Sequence, residues 1–308
     1  MTQLAGQRFL DPKVIEKIKR LDVRARLVVD GFITGMHKSP YHGFAVEFAS
    51  HREYVPGDEI KHIDWKVWSK TDRLYIKEYE EETNLRCTIV MDCSKSMAYG
   101  EDGADGMGKF DYAATLSACL AYLLQHQADK VGLVMFDTAI RRNLPASTNP
   151  AHMKLLLHEL DAAKPDEKTD VGDVFHRLAD QIGKRGLVVL VSDLFVDPSQ
   201  LLQSLRHFRH RRHEVVVFHV MHDHELTFPF QDNTLFRGLE DELELLTEPR
   251  ALRKSYLEAV DRFKTEVRRA CATAGADYVP LSSKDPLDAA LSSYLAFRQR
   301  VVRGARRR

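Results

Sequence analysis

At 308 residues the chain is long enough to bury a large core, either as one α/β domain with an appendage or as two modest domains. Its 45 lysines and arginines balance 45 aspartates and glutamates, so no global field recommends nucleic acid or a membrane surface as a partner. Residues 1–12 lack the basic-then-apolar pattern of a signal peptide, and no stretch approaches the ~20 apolar residues that span a bilayer. The four cysteines, Cys87, Cys93, Cys119 and Cys271, show no paired metal spacing, and the expectation is a cytoplasmic protein with reduced thiols.

From residue 11 to about 35, Val14, Ile15, Ile18, Leu21, Val23, Leu27, Val28 and Phe32 recur at roughly helical spacing and predict one broken helix or two short ones. Residues 38–72 mix aromatics, glycines and charges without a period, yet are too aromatic for a disordered linker. Apolar runs at 87–91, 131–136, 187–191 and 215–220 then alternate with amphipathic helices at 110–126, 151–160, 171–183 and 198–208, with a polar edge strand at 139–144. That order predicts a doubly wound, mostly parallel sheet with helices on both faces. Residues 222–249 read as loop or short hairpin, followed by a helix at 255–273, a strand at 277–281 and a last helix from 286 to about 300. The domain reading is an N-terminal extension over 1–82 packing on a main domain over 83–300, a loop or hairpin inserted at about 222–250, and a basic tail over 301–308.

In such a sheet the loops at the carboxyl ends of the strands converge on a crevice, so polar residues just after buried strands mark a site. Asp92-Cys93-Ser94-Lys95-Ser96 follows the first run, Ser192 and Asp193 follow the third, and Thr169 and Asp170 lie between two helices. Alternation turns Asp92, Ser94 and Ser96 one way and Cys93 and Lys95 another. One carboxylate and several hydroxyls suit a hard cation. Mg²⁺ or Mn²⁺ held by Ser94, Ser96 and Thr169, with Asp92 and Asp193 supplying charge, keeps a position open for an external carboxylate.

The Asp-x-Ser-x-Ser element with a later Thr and a later Asp resembles the metal-ion-dependent adhesion site of von Willebrand factor A domains, here Asp92, Ser94, Ser96, Thr169 and Asp193. The run Arg52-Glu53-Tyr54-Val55-Pro56-Gly57-Asp58-Glu59-Ile60-Lys61-His62-Ile63-Asp64-Trp65, followed by Leu74-Tyr75-Ile76-Lys77-Glu78-Tyr79-Glu80, resembles the bacterial domain-of-unknown-function family fifty-eight. That resemblance implies a von Willebrand factor A-like fold and a protein partner, a MoxR-type AAA+ ATPase. The expected function is a non-enzymatic, metal-dependent protein-interaction module. The alternatives are a metal-assisted phosphoester hydrolase at the same crevice and a structural domain with a vacant site.

Several features compete with this reading. Asp92, Ser94 and Ser96 also suit an Asx-turn and helix cap, and Thr169 suits the N-cap of the helix at 171. Gly103 to Lys109 matches a phosphate loop as far as its lysine, but Phe110 replaces the Ser or Thr that would hold Mg²⁺, and Glu101, Asp102 and Asp105 repel phosphate. His222 and His224 read as solvated loop rather than a metal pair, and His207, His210 and His213 as helix-end complements to the dipole. Trp65, Trp68 and Tyr54 suit either a partner-binding hot spot or packing of the extension on the main domain, in which case Arg52 pairs with Asp58 or Asp64. Arg303 to Arg308 reads as a solvated tail.

Overall fold

The structure, a computed structural model, describes residues 18, 20–37, 50–55, 65–71, 73–78, 85–100, 107–165, 171–183, 185–240 and 243–305. Thr169 and Asp170 lie outside the described residues, as do residues 11–17 of the first expected helix, Asp58, Asp64 and the end of the basic tail. The described residues up to Gly35 and from Leu85 onward form one compact unit, and those from Met36 to Asn84 a second. The helix at the end of the first segment therefore clusters with the sheet.

That helix, α1 (Leu21–His37), buries Leu21, Ala25, Val28, Val29 and Phe32, a single apolar stripe at helical spacing. In the second unit β1 (Ser50–Glu53) pairs antiparallel with β2 (Tyr75–Glu78), and α2 (Trp65–Thr71) lies between them in sequence. Trp65 and Trp68 meet edge to face at 6.0 Å, and both stay exposed. The sequence offered no assignment here because Ser50-His51-Arg52-Glu53 carries no apolar alternation.

The main sheet is built from β3 (Arg86–Asp92), β4 (Lys130–Phe136), β5 (Ile140–Ser147), β6 (Leu187–Ser192), β7 (Glu214–Met221) and β10 (Asp277–Ser282), in the order β10-β7-β6-β3-β4-β5. All neighbours are parallel except β5, which runs antiparallel along the edge. The connecting helices are α3 (Lys109–His126), α4 (Pro150–Ala162), α5 (Val171–Gln181), α6 (Pro198–His210), the short α7 (Asp223–Thr227), α8 (Pro249–Ala274) and α9 (Leu287–Ala305). Between α7 and α8 the chain forms a hairpin of β8 (Thr234–Arg237) and β9 (Glu244–Thr247).

Both faces of the sheet are covered, which is why its central strands are apolar without alternation. On one face α5, α6 and α8 bury Val90, Leu190 and Val217, and Phe175 meets Phe136 at 5.1 Å and Phe208 at 6.3 Å. On the other face α3 crosses β3 and β4, with α1, α4 and α9 against it. Helix starts follow local chemistry: Asn149 caps α4 and Asp197 caps α6, each before a proline in the first turn. Gly275, at a left-handed φ of 70°, ends α8.

From β3 the chain moves outward through β4 to β5, then returns beside β3 as β6 and proceeds to β7 and β10. The loops after β3 and β6 therefore part in opposite directions, and a crevice opens between their carboxyl ends.

Candidate metal centre

Asp92 is the last residue of β3 and is 1% exposed. Its Oδ1 accepts from Ser94 N at 2.8 Å, closing an Asx-turn, and its Oδ2 accepts from Ser192 Oγ at 2.6 Å across to the end of β6. The turn swings Ser94 and Ser96 inward, and their hydroxyl oxygens lie 3.0 Å apart, both buried. Cys93 is turned into the core, its amide donating to Phe136 O at 2.7 Å, and Lys95 points to solvent. Ser94 stands at the N-cap of a one-turn 3₁₀ helix (Lys95–Ala98), but its hydroxyl makes no capping bond, which leaves it to Ser96.

The second loop folds back just as tightly. Ser192 Oγ accepts from Leu194 N at 2.9 Å, and Leu194 takes a left-handed φ of 53°. Asp193, 5% exposed, accepts from Phe195 N at 3.3 Å through Oδ1 and from Lys109 Nζ at 2.8 Å through Oδ2. Lys109 opens α3 and is 2% exposed; its amide donates to Tyr99 O, which pins it beside the Ser96 loop. Its ammonium also donates to Glu225 Oε1 at 2.8 Å. Glu225 is in turn fixed by α7: its Oε2 accepts from His222 N at 2.7 Å, and His222 Nδ1 accepts from His224 N at 3.2 Å.

The electrostatics of the two carboxylates diverge. Burial, and then the charge of Asp193, pushes Asp92 up to about 7, because its two partners are neutral donors. Burial also works against Asp193, but the Lys109 ammonium and the Ser96 hydroxyl outweigh it and hold Asp193 below the usual carboxylate range. Lys109 is raised despite its own burial, by Asp193 and Glu225. Burial lowers His219 and His222 to about 4, so both rings are neutral at physiological pH, and it pushes the Cys93 thiol up to about 12.

Of the five residues selected from the sequence, the structure brings together Asp92, Ser94, Ser96 and Asp193; Thr169 lies outside the described residues. Among the described residues no group of three or more His, Cys, Asp or Glu side chains could hold a metal. The oxygens that do converge, the Asp92 carboxylate and the Ser94 and Ser96 hydroxyls, are of the donor type that a hard cation takes.

Two expectations are corrected. His222 is a buried N-cap, not part of a solvated loop, and its pairing with His224 serves α7. His213 is also buried, with Nε2 3.1 Å from Ile182 O, and is not a helix-end surface charge. The sequence reading also passed over three site residues. Lys109 was visible as the one cation in the first turn of a long, largely apolar helix, a position that demands a partner. Glu225 was visible as the third residue after a possible cap at His222. Glu240, at the tip of the β8–β9 hairpin, accepts from Ser96 N at 3.3 Å and carried no signal. An apolar recess of about 310 Å³, lined by Phe195, Met221, Tyr256 and Phe263, opens beside Asp193 and Glu225.

The profile of the family described as "Protein of unknown function DUF58" matches residues 50–266. The chain belongs to this family. The DUF58 match runs from β1 into α8 and takes in every crevice residue named above. Uncharacterized proteins of Mycobacterium tuberculosis and Mycobacterium bovis are 24% identical over 295 residues, covering 94% of this chain and 91% of theirs. Among solved structures, the conserved hypothetical protein BatB from Bacteroides thetaiotaomicron aligns over 69% of this chain and 97% of its own, at 15% identity and a TM-score of 0.44. The VWA domain of SpRpn10 aligns over 68% and 95%, at 12% identity and a TM-score of 0.38. This DUF58 chain has the von Willebrand factor A-like architecture, and its doubly wound sheet order carries that assignment. Among the described residues no helix is long and apolar enough to cross a membrane.

Proposed function

We propose that the crevice is a metal-ion-dependent adhesion site and that the protein is a non-enzymatic interaction module whose partner offers an Asp or Glu side chain to a bound Mg²⁺ or Mn²⁺. The observation that carries this is the buried convergence of the Ser94 and Ser96 hydroxyls, 3.0 Å apart, beside an Asp92 carboxylate whose hydrogen-bond donors among the described residues are neutral. A buried carboxylate without a counter-charge is costly, and a cation offsets that cost. Asp92, Ser94 and Ser96 would hold the ion, Asp193 would act beside them, and Thr169 is the fifth residue of the set.

When bound, the ion supplies positive charge with an open position for an external carboxylate. The protein's own contribution is orientation. Ser192 and the Ser94 amide fix both oxygens of Asp92, and the 3₁₀ turn after Ser94 keeps the two hydroxyls facing each other. The recess walled by Phe195 and Tyr256 would receive an apolar side chain next to the partner's acidic residue. The family resemblance implies a MoxR-type AAA+ ATPase as that partner. Four buried, free cysteines support a cytoplasmic setting.

Among the described residues the crevice offers no activated thiol, which supports binding over a covalent hydrolytic route. Cys93 is a buried thiol with its pKa pushed up, which argues against a thiol nucleophile, and Asp193 and Glu225 are both engaged by Lys109. The test is binding of a purified MoxR-type ATPase to the wild type and to the Asp92→Ala, Ser94→Ala double variant, with Mg²⁺ and with EDTA. Binding should be lost in the folded double variant and in EDTA; retention in both would overturn the reading.

A further inference from the structure

We propose that Lys109 is a tethered counter-cation of this crevice: its ammonium neutralises Asp193 and Glu225 so that the site takes a single divalent ion on the Asp92, Ser94 and Ser96 side. The inference rests on the metal-site reading above and names what regulates it.

Lys109 occupies a place where a cation is doubly disfavoured. It is buried, and it opens a helix of 18 residues, whose N-terminal end carries the positive pole of the dipole. Two charge-assisted bonds of 2.8 Å, to Asp193 Oδ2 and Glu225 Oε1, offset those costs. The second partner is itself engineered into place by the fold: the α7 capping box takes Glu225 Oε2 and leaves Oε1 for Lys109. Gly100 keeps the assembly tight, since a Cβ there would come within 2.7 Å of the His222 ring.

The charge count gives the arrangement its meaning. The crevice sets three carboxyl side chains, Asp92, Asp193 and Glu225, against the one ammonium of Lys109, an excess of two acidic groups that matches one divalent cation. Without Lys109 the excess would be three and the same crevice would attract cations more strongly and less selectively. The ammonium stands at Asp193 and not at Asp92, so a divalent ion meets a competitor on one side and an uncompensated carboxylate on the other.

The test is calorimetric titration of wild type, Lys109→Met and Glu225→Gln with Mn²⁺, with thermal unfolding in EDTA alongside. Lys109→Met should bind Mn²⁺ at least about tenfold more tightly, equivalent to ~1.4 kcal/mol, while unfolding at a lower temperature in EDTA. Glu225→Gln leaves the whole ammonium to Asp193 and should bind Mn²⁺ more weakly than wild type. Should Lys109→Met fail to fold, Glu225→Gln decides alone: unchanged or tighter binding overturns the proposal. Wild-type binding with no tightening in a folded Lys109→Met overturns the proposal and leaves the site reading standing. Absence of binding in all three proteins removes both.

Discussion

Two neighbouring parallel strands, β3 and β6, end in buried carboxylates that the fold treats in opposite ways. Asp92 and Asp193 are both at most 5% exposed, and each accepts a backbone amide two residues on. Burial alone would raise both. Asp193 is nevertheless lowered, because Lys109 reaches it from the start of α3, whereas Asp92 stays raised by burial and by the Asp193 charge, which the Ser192 hydroxyl and the Ser94 amide only partly offset. The difference teaches that burial sets the cost of a charge and the partner sets its sign. It also separates a carboxylate already satisfied by the protein from one that an external cation would satisfy.

The largest effect expected from breaking this contrast comes from Lys109→Ala. It strands Asp193 and the half-buried Glu225 without their cation, and should cost about 3–5 kcal/mol in urea denaturation measured without metal. Excess Mn²⁺ should restore part of that loss.

Next in size is the pH dependence. The pKa of Asp92 in the folded protein lies above its unfolded value, so its contribution to metal-free stability is fully present below about pH 4 and declines as pH rises towards 7. Metal binding needs the carboxylate, so affinity should move the other way, weakening about tenfold per pH unit below pH ~7 and levelling off above it. Asp193, held low, contributes stability above its unfolded pKa that is lost only as pH falls through its folded value. Metal titrations at several pH values check the first trend, and urea melts in EDTA check the others.

Ser192→Ala should cost about 1–3 kcal/mol, since the hydroxyl both donates to Asp92 and accepts from Leu194 N. It should raise Asp92 further and shift the pH profile of metal binding upward. The smallest effect is expected at Glu240→Ala, on a partly exposed hairpin tip, within about 0.5 kcal/mol by thermal melting.

Much of this was legible before any coordinates. The four central strands showed as apolar runs because both faces are covered, and the order of runs and helices implied a doubly wound sheet, whose strand order places the switch point between β3 and β6. Asp92, Ser94, Ser96 and Asp193 could be selected because they stand just past those runs. What was not legible depends on long-range contact. Lys109 lies 84 positions from Asp193 and 116 from Glu225, and the local pattern around it imitates a phosphate loop. His222 looked like loop because a five-residue helix has no periodicity to read. β1 and β2 escaped because a two-stranded pair of largely polar segments leaves no alternation in sequence.

The role proposed for Asp92, a buried carboxylate that a metal ion neutralises, is tested most directly by thermal unfolding of wild type and Asp92→Asn, each in EDTA and in saturating Mg²⁺ or Mn²⁺. Asparagine keeps the size and an acceptor while removing the charge. At a metal concentration ~100 times the dissociation constant the wild type should gain about 2.7 kcal/mol, a rise of several degrees, and Asp92→Asn should show no metal-dependent rise. An equal rise in both proteins, or none in the wild type, would contradict the claim.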